Sequence, residues 1–162
     1  MHVLNSKEMK KLLASIREQF GEFKTEGYAF FRNNEDKVFI LSRKFADLDD
    51  SLLRINNLGL YFCKEEKDGI RLSIEGAQLV NPKLNVIDMS KEQMYAWMRG
   101  EDIEVGDDGR KCYVVVKHDG DIFGCGKLKE GVVMNSVAKG RRVIGIAPGD
   151  KTGIRTIKLE RK

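Results

Sequence analysis

A short run of basic residues, Lys139-Gly140-Arg141-Arg142, offers the clearest chemistry in this sequence. The run follows a predicted strand and precedes a further apolar stretch, so we expect it at a junction between a strand and a turn. Backbone N–H groups and cationic side chains at such a junction can contact phosphates, and arginine planes can stack on bases. The same run also fits a solvated turn, and both interpretations stay open at this point.

The distribution of charge along the chain is uneven. Residues 127–162 contain ten Lys or Arg against three Asp or Glu, whereas residues 1–126 contain 19 against 22. The modest net charge of +4 therefore conceals a strongly basic C-terminal part. This asymmetry favours a polyanion such as nucleic acid as partner, although Lys-rich tails can also serve only to solubilise.

The second half of the chain reads as short strands joined by tight turns. Apolar runs flank Asp119-Gly120, which is the strongest local signal for a β-hairpin, because its type I′ turn needs positive φ at both central residues. Gly124 and Gly126 alternate along the second strand and suit a bend or a close backbone approach. The pattern predicts a small curved barrel, with strands at Ile103–Val105, Lys111–His118, Ile122–Lys127, Val132–Met134, Val143–Ile146 and Ile154–Leu159.

The first half of the chain mixes helices and paired strands. A helix is predicted after Asn5, with Glu8 three residues on and Gly21 as its stop. Further elements follow: strands Tyr28–Arg32 and Lys37–Leu41, a helix over Ala46–Asn56, strands Leu60–Lys64 and Ile70–Ile74, and a helical turn at Glu75–Val80. The segment Asn81–Asp88 shows little periodicity, so the boundary between two modules is predicted there.

A helix opens the second module. Ser90 and Gln93 form a capping box, and Gly100 ends the predicted helix. Tyr95 and Trp97 could stack on bases, but aromatic residues on an amphipathic helix are more often part of a core.

The sequence shows no signature of zinc binding, dinucleotide binding, membrane spanning or secretion. The three cysteines lie far apart in predicted strands, without zinc spacing, and read as free thiols of an intracellular protein. Gly124-Cys125-Gly126 opens no helix, so it is not a dinucleotide fingerprint. No apolar run reaches the length of a membrane span, and no secretory signal is visible. We expect a cytoplasmic protein that is not an enzyme and has no metal or cofactor.

Residues 90–150 resemble a PUA domain, an RNA-binding barrel. The matching passages are the helix ending in Arg-Gly (MYAWMRGEDIEV), the hairpin VVVKHDGDIFGCGK and the final turn VAKGRRVIGI. The resemblance implies an α+β protein, with an N-terminal mixed α/β module over residues 1–84 and a C-terminal PUA-like β-barrel over residues 85–162. It also places Arg99 and Gly100 near Lys139, Gly140, Arg141 and Arg142, while Lys127 and Lys129 are candidates to extend this RNA-binding patch.

A second passage, NNLGLYFCKEEKDGIRLSIEGAQLV, carries a further resemblance. It is similar to the segment that precedes the PUA domain in Nip-type ribosome-biogenesis factors, and to archaeal PUA proteins related to the Nop/Sun rRNA cytosine-5 methyltransferases. The sequence departs from close Nip relatives at MRGEDIEVG, where a Phe-x-Tyr-Gly passage is expected, and it contains no methyltransferase core.

These features together predict a non-catalytic RNA-binding protein in ribosome biogenesis or rRNA modification. The expected partner is RNA, with rRNA favoured over tRNA, and an rRNA methyltransferase or another ribosome-assembly protein is a further candidate. Three alternatives remain at this point: a protein–protein adaptor that docks a modification enzyme, a tRNA-directed binder, and an enzyme, which the missing cofactor and metal signatures disfavour.

Overall fold

The structure is a computed structural model that describes residues 1–46 and 59–144. Its first helix, α1 (Ser6–Phe20), begins with the predicted capping box between Asn5 and Glu8 and ends at Gly21, which has φ +98°. Leu12, Ile16 and Phe20 lie on one side of α1 at helical spacing and are buried. The helix therefore packs its apolar face into the core of the first module.

A five-stranded antiparallel sheet forms the rest of this module, with its strands in sequence order. Four of the strands were predicted within a few residues, but the two-residue strand at His2–Val3 was not, because it is too short to show alternation. The predicted helix over Ala46–Asn56 lies almost wholly outside the described residues. The elements are β1 (His2–Val3), β2 (Tyr28–Arg32), β3 (Lys37–Ser42), α2 (Arg43–Ala46), β4 (Leu60–Glu66) and β5 (Gly69–Leu72).

The connection to the second half contains more structure than the sequence predicted. Ser73 caps a short helix, α3 (Ile74–Val80), as expected for the helical turn there. Strand β6 (Val86–Asp88) follows within the segment assigned to a boundary, and it pairs in parallel with the later strand Cys112–His118. Three residues are too few for a period-two signal, and a parallel partner far along the chain leaves no local mark.

A second five-stranded sheet has the order β6, β8 (Cys112–His118), β9 (Asp121–Lys129), β10 (Val132–Met134) and β7 (Ile103–Glu104). Over residues 1–46 and 59–144 this sheet is open, so the predicted closure into a barrel is not seen in that part of the chain. Val143 and Ile144 were predicted to begin a strand but are irregular, and the strand at Ile154–Leu159 lies outside the described residues. The elements are α4 (Lys91–Arg99), β7 (Ile103–Glu104), β8 (Cys112–His118), β9 (Asp121–Lys129) and β10 (Val132–Met134).

The glycines of the β8–β9 hairpin behave as the sequence predicted. Asp119 and Gly120 both have positive φ, +48° and +86°, as a type I′ turn requires. An ideal Cβ on Gly126 would lie 2.6 Å from both Cη2 of Trp97 and Cγ1 of Val133. A side chain at Gly126 would therefore overlap the core beneath α4.

Two apolar clusters lie on opposite sides of β8. Val114 and Val116 point into a cluster with Trp97 on α4, whereas Tyr113 and Val115 join the cluster built around α1 and the first sheet. Because side chains alternate along a strand, β8 is buried on both faces. The second sheet therefore completes the core of the first module.

Gln19 on α1 fixes the contact between the two halves. Its side-chain amide donates to the carbonyl oxygen of Ile70 and accepts from its N–H, both at 2.9 Å, and it reaches the carbonyl oxygen of Tyr113 at 3.4 Å. One side chain thus satisfies the free edge of β5 and reaches β8. Within the described ranges, no helix is long and apolar enough to cross a membrane.

Candidate nucleic-acid interface

The basic run forms a single 3₁₀ turn, Lys139–Arg141, which we call the basic turn together with Arg142. The N–H of Arg141 donates to the carbonyl oxygen of Ala138 at 2.8 Å, and the N–H of Val143 donates to Met98 at 2.9 Å. Lys139, Gly140 and Arg141 are exposed. The turn is therefore held against the end of α4 while most of its side chains face solvent.

Arg142 lies directly against Gly100, the residue that ends α4. An ideal Cβ on Gly100 would be 2.6 Å from Cζ of Arg142, and the Arg142 Nε donates to the carbonyl oxygen of Val137 at 3.1 Å. Gly100 also has φ +91°, as helix-ending glycines commonly do. The structure thus brings these two predicted site residues together, and the guanidinium fills the space beside the glycine.

Arg99 lies at the same end of α4 and is engaged with an acidic neighbour. Its Nε donates to Oε1 of Glu101 at 2.6 Å. This hydrogen bond lowers the pKa of the Glu101 carboxyl, so the pair is ionised near neutral pH. The positive charge of Arg99 is therefore partly balanced where the sequence predicted RNA contact.

Arg141 and Lys139 differ in their surroundings although both are exposed. Arg141 Nη2 lies 2.5 Å from Oε1 of Glu75 on α3, so it links the basic turn to the first half of the chain. Lys139 makes no ion pair with any residue in the described ranges. Lys139 is thus the cation of the turn best placed to meet a phosphate without first leaving a carboxylate.

Lys127 and Lys129 pair with acidic residues away from the basic turn. Gly126 faces α4, so alternation along β9 directs Lys127 and Lys129 to the opposite face of the sheet. Lys127 forms an ion pair with Asp68 in the β4–β5 turn, and its Nζ lies 5.8 Å from the centroid of the Tyr113 ring. Lys129 pairs with Glu130 at 3.4 Å. No contact among the described residues joins these lysines to the basic turn, and their RNA contact stays a prediction.

Asn135 positions the basic turn, and sequence reasoning missed it. Its Nδ2 donates to the carbonyl oxygens of Trp97 at 2.9 Å and Glu101 at 3.0 Å, while its Oδ1 accepts from the N–H of Val137 at 2.8 Å. The Asn side chain thereby satisfies carbonyls at the end of α4 and starts the loop that leads to the turn. An Asn directly after a strand, able to form an Asx-turn, was the available signal.

Trp97 belongs to the core, as the sequence favoured. It is fully buried, and its Nε1 donates to the carbonyl oxygen of Phe123 at 3.0 Å. Its ring is therefore not available to stack on a base.

No metal-binding cluster is present among the residues that the structure describes. In residues 1–46 and 59–144, no group of three or more His, Cys, Asp or Glu is arranged to hold a metal ion. All three cysteines are free. Burial raises the pKa of the Cys125 thiol to about 12 and also raises that of Cys63, so both are protonated near neutral pH.

One comparison with known families bears on this interface. Residues 84–143 match the family model described as the methyltransferase RsmF PUA domain, whereas no curated protein matches the chain. The match contains α4, the whole second sheet and the basic turn with Arg142. The resemblance to Nip-type factors gains no support from it and stays a prediction. The segment that carries the basic turn is therefore similar to the PUA domain of RsmF-type methyltransferases, a kind of domain that implies RNA binding.

Proposed function

We propose that this protein is a non-catalytic RNA-binding factor in ribosome biogenesis or rRNA modification, and that the basic turn is its main RNA contact. The observation that carries the proposal is the packing of Arg142 on Gly100 inside the PUA-like segment. This packing fixes the backbone of the turn, in which Lys139 and Arg141 are exposed. A fixed array of cations reduces the entropy lost when a phosphate is bound.

Electrostatic attraction to phosphates would supply most of the affinity, so binding must depend on salt. If about four phosphates are contacted, the affinity for single-stranded RNA should fall roughly fiftyfold between 50 and 200 mM salt. Removing one contacting cation should reduce the slope of log K against log salt by about 0.7. A base-stacking arginine would add affinity that salt affects much less.

Fluorescence anisotropy of the full chain with short rRNA-derived stem-loops tests the proposal. Lys139→Ala and Arg142→Ala should weaken binding and flatten the salt dependence. Lys91→Ala is the matched control, because Lys91 is exposed at the other end of α4, about 12 Å away along the helix axis. It removes the same charge and should leave the affinity within about twofold.

Two results would contradict the proposal. A salt-independent affinity would exclude phosphate contacts as its source. Equal losses for Lys139→Ala and Lys91→Ala would show that net charge alone, and not the basic turn, governs binding. Arg142→Lys separates charge from the guanidinium plane, since lysine keeps the charge but cannot stack in the same way.

The choice between rRNA and tRNA requires the bound RNA itself. Crosslinking in cells followed by sequencing of the attached RNA should recover rRNA fragments. Recovery of tRNA alone would replace the ribosomal role with a tRNA-directed one. It would leave the RNA contact at the basic turn intact.

A further inference from the structure

A cleft of about 360 Å³ lies beside the basic turn, between the first sheet and the loop after β10. Residues from both halves of the chain line it, and Arg141 belongs both to the cleft and to the basic turn. Ligand pockets start at about 300 Å³, so this one is large enough for a single small organic group. The lining residues used below are Lys37, Tyr61, Arg71, Glu75, Val137 and Arg141.

The walls of the cleft are fixed by hydrogen bonds. The hydroxyl of Ser73 donates to the carbonyl oxygen of Tyr61 at 2.6 Å and accepts from the N–H of Gly76 at 2.8 Å. Ser136, on the opposite wall, donates its hydroxyl to the carbonyl oxygen of Cys125. Because these polar groups already have partners, the cleft offers a ready shape and does not have to form around its ligand.

The lining combines an aromatic ring with an excess of positive charge. Tyr61 is half-buried and tilts against Phe39, with ring centroids 5.6 Å apart. Among the described residues that line the cleft, three are cations, Lys37, Arg71 and Arg141, and one is a carboxylate, Glu75. Burial raises the pKa of Glu75, but the hydrogen bond from Arg141, a backbone hydrogen bond and the charge of Arg141 together outweigh this effect, and the net pKa is lowered. Glu75 is therefore ionised, and the described residues of the lining carry a net positive charge.

The cations of the first sheet form a row across three strands. Lys37 on β3 is directly opposite Lys64 on β4, and Lys64 is directly opposite Arg71 on β5. Like charges placed opposite each other destabilise a sheet. Glu66 lies 3.4 Å from both Lys64 and Arg71, and Glu35 lies 2.6 Å from Lys37. These two carboxylates offset the positive charge of the three cations only partly, because Glu66 is shared between Lys64 and Arg71.

We propose that this cleft binds one unstacked nucleotide of the RNA held by the basic turn. Its base lies against Tyr61 and the apolar wall at Val137, and its phosphate is held by Lys37 and Arg71. The inference rests on the proposed function and extends it from one patch to two. An aromatic ring with flanking cations is the combination with which proteins hold single-stranded bases. Arg141 connects the two sites, so a strand that leaves the basic turn reaches the cleft directly.

Four substitutions in the full chain separate the cleft from its surroundings. Arg71→Ala and Tyr61→Leu remove a phosphate contact and the ring, and each should weaken binding about tenfold. Tyr61→Phe keeps the ring and should bind like the wild type. Lys67→Ala is the matched charge control, because Lys67 is exposed in the turn between β4 and β5 and does not line the cleft.

The measurement is anisotropy with two fluorescent RNAs, one stem-loop with a single-stranded 3′ extension and the same stem-loop without it. The losses for Arg71→Ala and Tyr61→Leu should appear with the extended RNA and vanish with the blunt one. Thermal unfolding of each variant shows whether it has folded. If Tyr61→Leu does not fold, the comparison of Arg71→Ala with Lys67→Ala decides alone.

The outcomes distinguish this inference from the proposed function. If Arg71→Ala and Tyr61→Leu bind like Lys67→Ala while Arg142→Ala loses affinity, the cleft is not a subsite but the basic turn still binds RNA. If the wild type binds neither RNA, both proposals fail.

Discussion

The side chain of Arg142 packs directly against the Cα of Gly100, although the two residues are 42 positions apart in the sequence. The guanidinium occupies the space that any side chain at position 100 would need, and Arg142 also bonds to Val137. Gly100 is therefore required twice, once by its positive φ and once by the arginine above it. The conformation of the basic turn depends on the absence of a Cβ at the end of α4.

Gly100→Ala should destabilise the protein more than Gly106→Ala. Both glycines have positive φ, +91° and +86°, so both substitutions cost about 1–2 kcal/mol in the backbone. Of these two glycines, Gly100 has a neighbour in the way, whereas no residue that the structure describes lies within 4 Å of a Cβ on Gly106. We expect a further loss of about 0.5–1.5 kcal/mol for Gly100→Ala, because the Arg142 side chain must move aside and give up its hydrogen bond to Val137.

Urea unfolding of both variants measures this difference, and RNA anisotropy measures its consequence. Gly100→Ala should also weaken RNA binding, since Arg142 must move, whereas Gly106→Ala should not. Equal stability and equal affinity for the two variants would show that Arg142 moves aside at no cost.

Gln19→Ala should lower the free energy of unfolding by about 1–3 kcal/mol. The substitution leaves both the N–H and the carbonyl oxygen of Ile70 without their partner at the edge of β5. Glu18→Ala is the control, because Glu18 is exposed on the same helix and should change stability by less than about 0.5 kcal/mol. Chemical denaturation checks both, and similar values for the two variants would contradict a bridging role for Gln19.

Gly126→Ala should destabilise the protein through sterics alone. Gly126 does not have a positive φ, but its Cβ would lie 2.6 Å from Trp97, Val133 and the carbonyl oxygen of Met134. Forcing a methyl group into such a packed site costs about 1–3 kcal/mol. The indole fluorescence of Trp97, the single tryptophan, should shift in the variant. An unchanged spectrum and an unchanged unfolding midpoint would mean that the core accepts the methyl group.

Thiol reactivity should separate Cys112 from the other two cysteines. Burial raises the pKa of all three thiols, but Cys63 and Cys125 are buried whereas Cys112 is only partly covered, so Cys112 is the thiol that a reagent can reach. In the native protein at pH 8, Ellman's reagent should react first with Cys112, and all three thiols should react in denaturant. In Cys112→Ser the fast phase should disappear, and a fast phase that persists would place a second thiol at the surface.

The raised pKa values of the Cys63 and Cys125 thiols predict that the free energy of unfolding falls at high pH. A folded-state pKa above the unfolded value favours the folded state while the thiol is protonated in both states. This contribution is present below about pH 9 and is lost as the pH rises from the unfolded value of 9.0 towards about 12 for Cys125. The slope is about 1.4 kcal/mol per pH unit for each thiol. Unfolding of Cys125→Ala should show a correspondingly smaller slope between pH 9 and 11.

Signals that lie within a few residues predicted much of this structure. The capping boxes at Asn5 and Ser90, the helix stop at Gly100 and the Asp119-Gly120 turn depend on local hydrogen bonds and φ values, and all were confirmed. Strand β6 was missed because its evidence is a parallel partner about 30 residues further along the chain. Short strands that depend on distant pairing carry little information of their own.

Predictions about the candidate site were limited in the same way, because they too depended on contacts between residues that are distant in sequence. The proximity of Gly100 and Arg142 followed from a resemblance, but the direct packing between them could not be read from either residue. Lys127 and Lys129 were grouped with the basic turn because they follow the Gly-x-Gly strand. Their pairing with Asp68 and Glu130 depends on which face of β9 they occupy, and that face is set by contacts of Gly126 that are distant in sequence.

Because β8 is buried on both faces, the two halves of this protein cannot be separated without exposing apolar side chains. A fragment restricted to the matched residues 84–143 would turn Tyr113, Val115 and Cys125 towards water, because their cover comes from α1 and the first sheet. The matched region is thus a unit of sequence similarity without being a self-sufficient folding unit. Recombination that transplants the matched half alone would produce an aggregation-prone product, whereas transfer of both halves would keep the shared core buried.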